Sequence, residues 1–152
     1  MTEKFVNREK EWAILEQEIK KSKLIVIFGR RRVGKTRLLR EWAKNFPTVY
    51  TQAIEGVENL QIEQAFEDLK SHLPTNIAPV NWFDYFDLLS LIKKELVLVI
   101  DEFPYLVNSN SSLPSIMQKW IDHKQPDNIH LLLSGSSQSM MHNIFLDQTA
   151  PL

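Results

Sequence analysis

Residues Gly29–Thr36 read GRRRVGKT, and this stretch decides how the rest of the chain is interpreted. It fits the pattern of a glycine, four residues of any type and then Gly-Lys-Thr, which is typical of a phosphate-binding loop (P-loop). Gly29 and Gly34 allow sharp backbone turns, so that several N–H groups can converge on phosphate oxygens. We expect Lys35 to reach the β- and γ-phosphates of a nucleotide, and the hydroxyl of Thr36 to hold Mg²⁺. The stretch therefore predicts a nucleotide-binding site.

The segments on either side of the loop have the patterns that such a site requires. Leu24–Phe28 is wholly apolar, as expected of a buried parallel strand. After the loop, Leu38, Trp42 and Phe46 repeat every four residues, which predicts an amphipathic helix that ends at Pro47. The order of strand, glycine loop and helix favours the phosphate-binding interpretation over the alternative, an ordinary turn between a strand and a helix.

A second buried strand, Leu96–Ile100, runs directly into two acidic residues. In P-loop enzymes such a strand ends in an aspartate that supports Mg²⁺, and a following glutamate can take a proton from the attacking water. We therefore assign Asp101 to the metal and Glu102 to catalysis. The alternative is a pair of solvated acids at the end of a strand.

A further strand, Ile129–Leu133, is expected to bring Ser134 to the same edge of the sheet. The Ser134 hydroxyl could sense the γ-phosphate or orient water, which makes it a catalytic candidate beside Lys35 and Glu102. Alternatively, the serines that follow this strand cap a helix. The four histidines show no spacing typical of metal ligands, so we interpret them as structural or surface residues.

The remaining patterns predict one more strand and three more helices. Thr48–Thr51 is a short β-prone run, and helices are expected to begin near Asn59, Asn81 and Ser112. Their apolar faces contain Ile62, Phe66, Leu69 and Leu73 in the first, Trp82, Tyr85, Phe86, Leu89 and Ile92 in the second, and Ile116, Met117, Trp120 and Ile121 in the third. We interpret the aromatic face of the second helix as core or as a docking face.

Length and composition limit the classes of protein to be considered. A chain of 152 residues suits one domain, spanning 1–152. The absence of cysteine excludes a disulfide framework, a thiolate zinc site and a catalytic thiol. No apolar run is long enough to cross a bilayer, and the charged start at Met1–Lys4 is not typical of a signal peptide. We therefore expect a soluble cytoplasmic protein that does not contact a membrane.

Charge is distributed unevenly along the chain. Its net charge is −1, but Lys20–Lys44 contains ten of the eighteen Lys and Arg residues against the single acid Glu41, so this segment carries +9 and the remainder −10. Attraction of a polyphosphate explains a positive segment around the loop. Nucleic-acid binding through Arg30, Arg31 and Arg32 is the alternative explanation.

Four motifs together resemble the archaeal and bacterial P-loop ATPases of the STAND type, relatives of the AAA-plus proteins within the Asp-Glu class. They are FVNREKEW near the N-terminus, GRRRVGKTRLL at the loop, VIDEFPYL after the buried strand and LLLSGSSQSMM at the strand that carries Ser134. The resemblance implies a three-layer α/β/α sandwich with a mainly parallel sheet, in which the strand of Ser134 lies between the loop strand and the Asp-Glu strand. It also implies that Phe5–Arg8 lies near an adenine. The structural alternative is a hydrophobic staple of the first predicted helix along the chain, which Asn7 would cap and whose apolar face contains Trp12, Leu15 and Ile19. The residues expected to bind ATP are Phe5, Val6, Arg8, Gly29, Arg30, Arg31, Arg32, Val33, Gly34, Lys35, Thr36 and Arg37.

Members of this family continue through a further strand, a small helical lid and C-terminal domains, whereas this chain stops at Leu152. We therefore expect a domain without its last strand and lid, in which nucleotide binding survives better than turnover. The expected function is Mg²⁺-dependent ATP hydrolysis coupled to an unknown conformational output. The alternatives are a nucleotide-gated switch that binds a protein partner or a C-terminal domain, and a nucleic-acid-associated module with little or no hydrolysis.

Overall fold

A parallel sheet forms the centre of the fold in the computed structural model, which describes residues 23–28 and 47–135. Its four strands are β1 (Leu24–Phe28), β2 (Thr48–Gln52), β3 (Leu96–Asp101) and β4 (Ile129–Gly135). They lie in the order β1-β4-β3-β2, and each neighbouring pair is parallel. The predicted α/β class and parallel sheet are confirmed, as is the position of the Ser134 strand between the other two motif strands.

The two central strands are buried on both faces. On one face, Leu98 of β3 and Leu131 of β4 belong to the main hydrophobic core. On the other face, Val99 and Leu132 are level with each other and are also fully buried. Burial on both faces explains why these strands read as continuous apolar runs rather than as alternating patterns.

Four α-helices are described, and we number them α1 (Glu58–Leu69), α2 (Trp82–Leu89), α3 (Pro104–Ser109) and α4 (Leu113–His123). Three of them were predicted, with two corrections at their ends. Leu73 lies beyond the 3₁₀ turn Lys70–His72 that follows α1, in extended backbone, and Ile92 lies in the turn after α2. Both side chains still pack with the core, Ile92 within it and Leu73 against its edge. The helix α3 was not predicted.

The start of α2 has the polar cap that the sequence indicates. Asn81 Oδ1 accepts the backbone N–H of Asp84 at 2.9 Å, and Asp84 Oδ2 accepts the N–H of Val80 at 3.2 Å. The first contact satisfies an N–H group in the first turn of the helix, and the second holds the residue before the cap, so the two together fix where the helix begins. The cap therefore also fixes the direction in which the aromatic side chains of α2 point from the helix axis.

The aromatic face of α2 belongs to the core. Trp82, Tyr85 and Phe86 are each at most 1% exposed. Tyr85 meets Trp82 edge to face with ring centroids 5.3 Å apart, and Phe86 packs on Trp120 of α4 at 5.4 Å. Such pairs stabilise a core by more than their buried area alone. Of the two interpretations of these three side chains, core packing is confirmed.

Gln125 joins the beginnings of β1 and β4. Its Nε2 donates to the carbonyl oxygens of Lys23 at 2.9 Å and Ile129 at 2.7 Å. Because a one-residue slip would move every side chain of β1 to the opposite face, this double contact helps to fix the register of the strand. The first predicted helix, the loop of residues 29–36, the helix after it and the residues after Gly135 lie outside the described part of the chain.

Candidate functional site

The carboxyl ends of three parallel strands meet at one edge of the sheet. Phe28, the last residue of β1, is level with Gly135 of β4, and the GRRRVGKT motif starts at the next position in the sequence. Ile100 of β3 is level with Leu133 of β4, so Asp101 and Ser134 come next to each other at the ends of their strands. In open parallel sheets this edge is where ligands bind.

Asp101 is the centre of the polar contacts at this edge. Its carboxylate is completely buried, and its Oδ1 accepts the hydroxyl of Ser134 at 2.5 Å and the backbone N–H of Glu102 at 3.0 Å. Its Oδ2 accepts the hydroxyl of Tyr50, from β2, at 2.5 Å. Three donors on the two oxygens of one carboxylate hold it in one orientation.

The chain turns sharply at Glu102, directly after β3. Glu102 has φ of +58°, the only positive φ among the described residues other than glycine, and its side chain is buried. This left-handed conformation costs an ordinary residue roughly 1–2 kcal/mol, so the surroundings must hold it in place. The next N–H, that of Phe103, donates to the carbonyl oxygen of Ser134 at 2.8 Å, and the Phe103 ring is fully buried. The turn is thus attached to the end of β4.

A second set of contacts supports the segment after the turn. Gln61 of α1 is buried, and its Nε2 donates to the carbonyl oxygens of Ile54 at 2.8 Å and Tyr105 at 3.0 Å. Near the end of α3, the hydroxyl of Ser109 donates to the carbonyl oxygen of Gly56 at 2.6 Å. The helix that follows the acidic pair is therefore fixed to the connection between β2 and α1.

The structure brings together three of the residues selected from the sequence, namely Asp101, Glu102 and Ser134. Tyr50 also contacts this group, and the sequence analysis did not identify it. A tyrosine in a short β-prone run carries no signal of such a contact, because the contact depends on the register that sets Tyr50 level with Val99. The other candidate residues, Phe5, Val6, Arg8 and Gly29 to Arg37, lie outside the described part of the chain.

The chemistry of this edge suits a hard cation that is shared with a ligand. Carboxylate and hydroxyl oxygens are the donors that Mg²⁺ prefers, and at nucleotide sites one or two carboxylates act together with phosphates and water. Within residues 23–28 and 47–135, no group of three or more His, Asp or Glu side chains could hold a metal ion alone. Asp101 is a residue at this edge that could supply such an oxygen.

No helix in the described ranges is long and apolar enough to cross a bilayer.

Comparison with known proteins shows the family to which the chain belongs. Residues 5–152 match a family described as an ATPase domain found predominantly in Archaea. An uncharacterized protein of Methanocaldococcus jannaschii is 34% identical over 151 residues, which is 97% of this chain, and the chain spans 33% of the length of that relative. An uncharacterized ATP-binding protein of the same organism is 46% identical over 43 residues, covering 27% of this chain and 73% of that protein.

Solved structures share the fold at lower identity. A Walker-type ATPase of Pyrococcus abyssi matches 90% of this chain and 47% of its own with a TM-score of 0.62 and 20% identity. Cdc6p of Pyrobaculum aerophilum matches 90% of this chain and 40% of its own with a TM-score of 0.60 and 18% identity. PCH-2 of C. elegans matches 92% of this chain and 39% of its own with a TM-score of 0.53 and 17% identity. These likenesses show that the α/β fold is the one seen in these proteins.

Proposed function

Because the chain belongs to this archaeal ATPase-domain family, we propose that it binds ATP together with Mg²⁺ and hydrolyses it at the carboxyl edge of the sheet. The observation that carries the proposal is the buried Asp101 carboxylate, oriented by Ser134 and followed by the Glu102 turn. An acidic pair on a solvated loop would not need a strained backbone or three hydrogen-bond donors to the aspartate. The sequence GRRRVGKT, which follows strand β1 on the other side of β4, supplies the groups for a triphosphate.

We assign phosphate binding to Gly29–Arg37, with the N–H groups of the loop and the ammonium of Lys35 on the β- and γ-phosphates. Thr36 and Asp101 would hold Mg²⁺, which supplies positive charge to the phosphate oxygens as the terminal phosphate is transferred. Phe5–Arg8 is assigned to the adenine. These assignments rest on the motif and on the resemblance to STAND ATPases, a subclass that we also propose for this chain.

We assign the chemical step to Glu102 and Ser134. The Glu102 carboxylate would accept a proton from a water molecule as the water oxygen bonds to the γ-phosphorus, while the bond between that phosphorus and the β–γ bridging oxygen breaks to leave ADP and phosphate. The Ser134 hydroxyl, fixed on Asp101, would orient the water or the γ-phosphate. The hydrolysis would be coupled to a conformational output, and a protein partner or a C-terminal domain is the proposed recipient.

Calorimetric titration of Mg-ATP and Mg-GTP into the 152-residue chain tests the proposal, with phosphate release followed on the same samples. We expect ATP to bind, Lys35→Ala to abolish binding, and Glu102→Gln to abolish turnover while leaving binding nearly intact. The matched controls are Lys70→Ala and Glu63→Gln, which change side chains away from the sheet edge on the surface of the molecule. Binding by Lys35→Ala equal to that of the parent chain would overturn the assignment, and full turnover by Glu102→Gln would remove Glu102 from the mechanism.

A further inference from the structure

Tyr50 connects strand β2 to the centre of the proposed site. It lies on β2, which is at one end of the described sheet, and it is level with Val99 of β3. Its hydroxyl reaches along the strand direction and donates to Asp101 Oδ2 at 2.5 Å. The contact joins residues that are 51 positions apart, so it exists because of the sheet register and not because of local sequence.

The position of this donor on the carboxylate matters. Ser134 and the Glu102 N–H both donate to Oδ1, whereas Tyr50 donates to Oδ2. The torsion that rotates an aspartate carboxylate about its last bond has broad, shallow preferences, so packing alone sets the plane of the group weakly. Donors on both oxygens, coming from two neighbouring strands, set that plane from opposite sides.

The setting strengthens the contact. Asp101 is completely buried and Tyr50 is partly buried. In such surroundings a hydrogen bond to an ionised group is stronger than the same contact in water. A donor that acts on a metal-binding group without touching the metal changes metal affinity by setting the orientation of that group.

We propose that Tyr50 is a positioning residue of the nucleotide site, whose hydroxyl fixes the plane of the Asp101 carboxylate for the Mg²⁺ that accompanies ATP. This inference rests on the proposed function. It adds β2 to the strands that build the site, because the metal-binding group is held from β2 as well as from β4. Because the Tyr50 hydroxyl contacts Asp101, a ligand that binds Asp101 must also change the surroundings of the Tyr50 ring.

The test compares Tyr50→Phe with Tyr85→Phe. Both variants lose one phenolic hydroxyl, but the Tyr85 hydroxyl contacts the carbonyl oxygen of Ala65 in the core between α1 and α2. For each protein, ATP affinity is measured in EDTA and at saturating Mg²⁺, and the ratio gives the factor by which the metal tightens binding. We expect Tyr50→Phe to reduce this factor by about tenfold, the lower end of the usual effect for groups that orient metal ligands, with affinity in EDTA unchanged. In Tyr85→Phe, Mg²⁺ should tighten ATP binding by the same factor as in the parent chain.

A second readout is taken on the parent chain, and the variant Tyr50→Phe serves only to assign the signal. The chain has three tyrosines, so selectively labelled tyrosine rings give few NMR signals. The signal that disappears in Tyr50→Phe should shift when Mg-ATP is added to the parent chain and should stay in place when ATP is added in EDTA. Thermal unfolding of Tyr50→Phe confirms that the variant is folded.

The outcomes separate the two proposals. If the folded parent chain does not bind ATP, the proposed function fails and the role of Tyr50 fails with it. If Mg²⁺ tightens ATP binding by the parent chain and tightens it by the same factor in Tyr50→Phe, only the role of Tyr50 is overturned. A Tyr50 ring signal that does not shift when Mg-ATP is added also overturns the role of Tyr50.

Discussion

The hydroxyl of Ser134 lies 2.5 Å from Asp101 Oδ1 and joins the ends of two neighbouring parallel strands inside the protein. Both residues are completely buried. A serine near the end of β4 therefore stabilises the fold as well as the proposed site, because it satisfies a carboxyl oxygen that water does not reach.

Replacing Ser134 with alanine should lower the free energy of unfolding by about 2 kcal/mol, the usual effect of removing one hydrogen bond to a buried charged group. Chemical denaturation of the two proteins measures the difference. Ser109→Ala is the matched control, because it removes an exposed hydroxyl that donates to a neutral carbonyl oxygen, and it should cost about 1 kcal/mol or less. Equal losses in the two variants would contradict a charged, buried contact at Ser134.

The positive φ at Glu102 predicts an unusual order of stability between two variants. Glu102→Gly and Glu102→Ala lose the same side-chain contacts, but only alanine retains the steric cost of the left-handed conformation. We expect the glycine variant to be more stable than the alanine variant by about 1 kcal/mol, although glycine usually destabilises a chain relative to alanine. Thermal unfolding of the two variants measures this difference in stability. An alanine variant at least as stable as the glycine variant would show that the left-handed backbone at Glu102 is not strained.

Gln61 should contribute more to stability than its neighbour Gln64 on the same helix. Gln61→Met keeps the approximate size of the side chain but leaves the carbonyl oxygens of Ile54 and Tyr105 without its two hydrogen bonds, which should cost about 2 kcal/mol. Gln64 is exposed and contacts Asp68 at 3.4 Å, so Gln64→Met should change stability by less than about 0.5 kcal/mol. Urea unfolding measures the free energy of unfolding of both variants, and equal losses would contradict the prediction.

Tyr85 predicts how stability changes in alkaline solution. Burial raises the pKa of Tyr85 well above its ordinary value of about 10, and the charge of Asp68 adds to the rise. Below pH 10 the phenol is neutral in both states. As the pH rises further the unfolded chain loses this proton while the folded chain keeps it, so the free energy of unfolding falls by up to about 1.4 kcal/mol per pH unit.

The variant Tyr85→Phe removes this titration. Its stability relative to the parent chain should therefore be constant up to about pH 9.5 and should improve at higher pH. Denaturation series at pH 8 and pH 11 test the prediction. A difference between the two proteins that does not change with pH would show that Tyr85 ionises alike in the folded and unfolded chains.

The features that sequence reasoning could reach are those that repeat along the chain or form a short motif. The apolar runs of β3 and β4 predicted two buried strands and with them the polar residues Asp101 and Ser134 at their carboxyl ends. The helix α2 was predicted from its cap and its aromatic spacing. These signals are local, so they do not require knowledge of what lies beside each element.

The features that were missed depend on neighbours in space or on a single torsion angle. The six residues of Pro104–Ser109 make fewer than two helical turns, too few for an apolar period to show. The left-handed backbone at Glu102 is imposed by surrounding contacts on a residue that does not favour it. Tyr50 acquires its partner only when β2 pairs with β3.

The strand order also governs how the chain folds while it is being made. Within the described sheet β1 pairs with β4 alone, and Leu24 is level with Leu131, about a hundred residues later. At the usual rates of synthesis, about 5–20 residues per second, β4 is synthesised roughly 5–20 s after the apolar segment LIVIF of β1, which stays without this partner strand until then. Pairing over such a separation is also slow in itself, because a long loop must close first. In this protein the strand that leads into the nucleotide motif is made early and has no partner within the described sheet until β4 has been made, so the yield of folded protein in a cell should depend on chaperones that shield nascent chains.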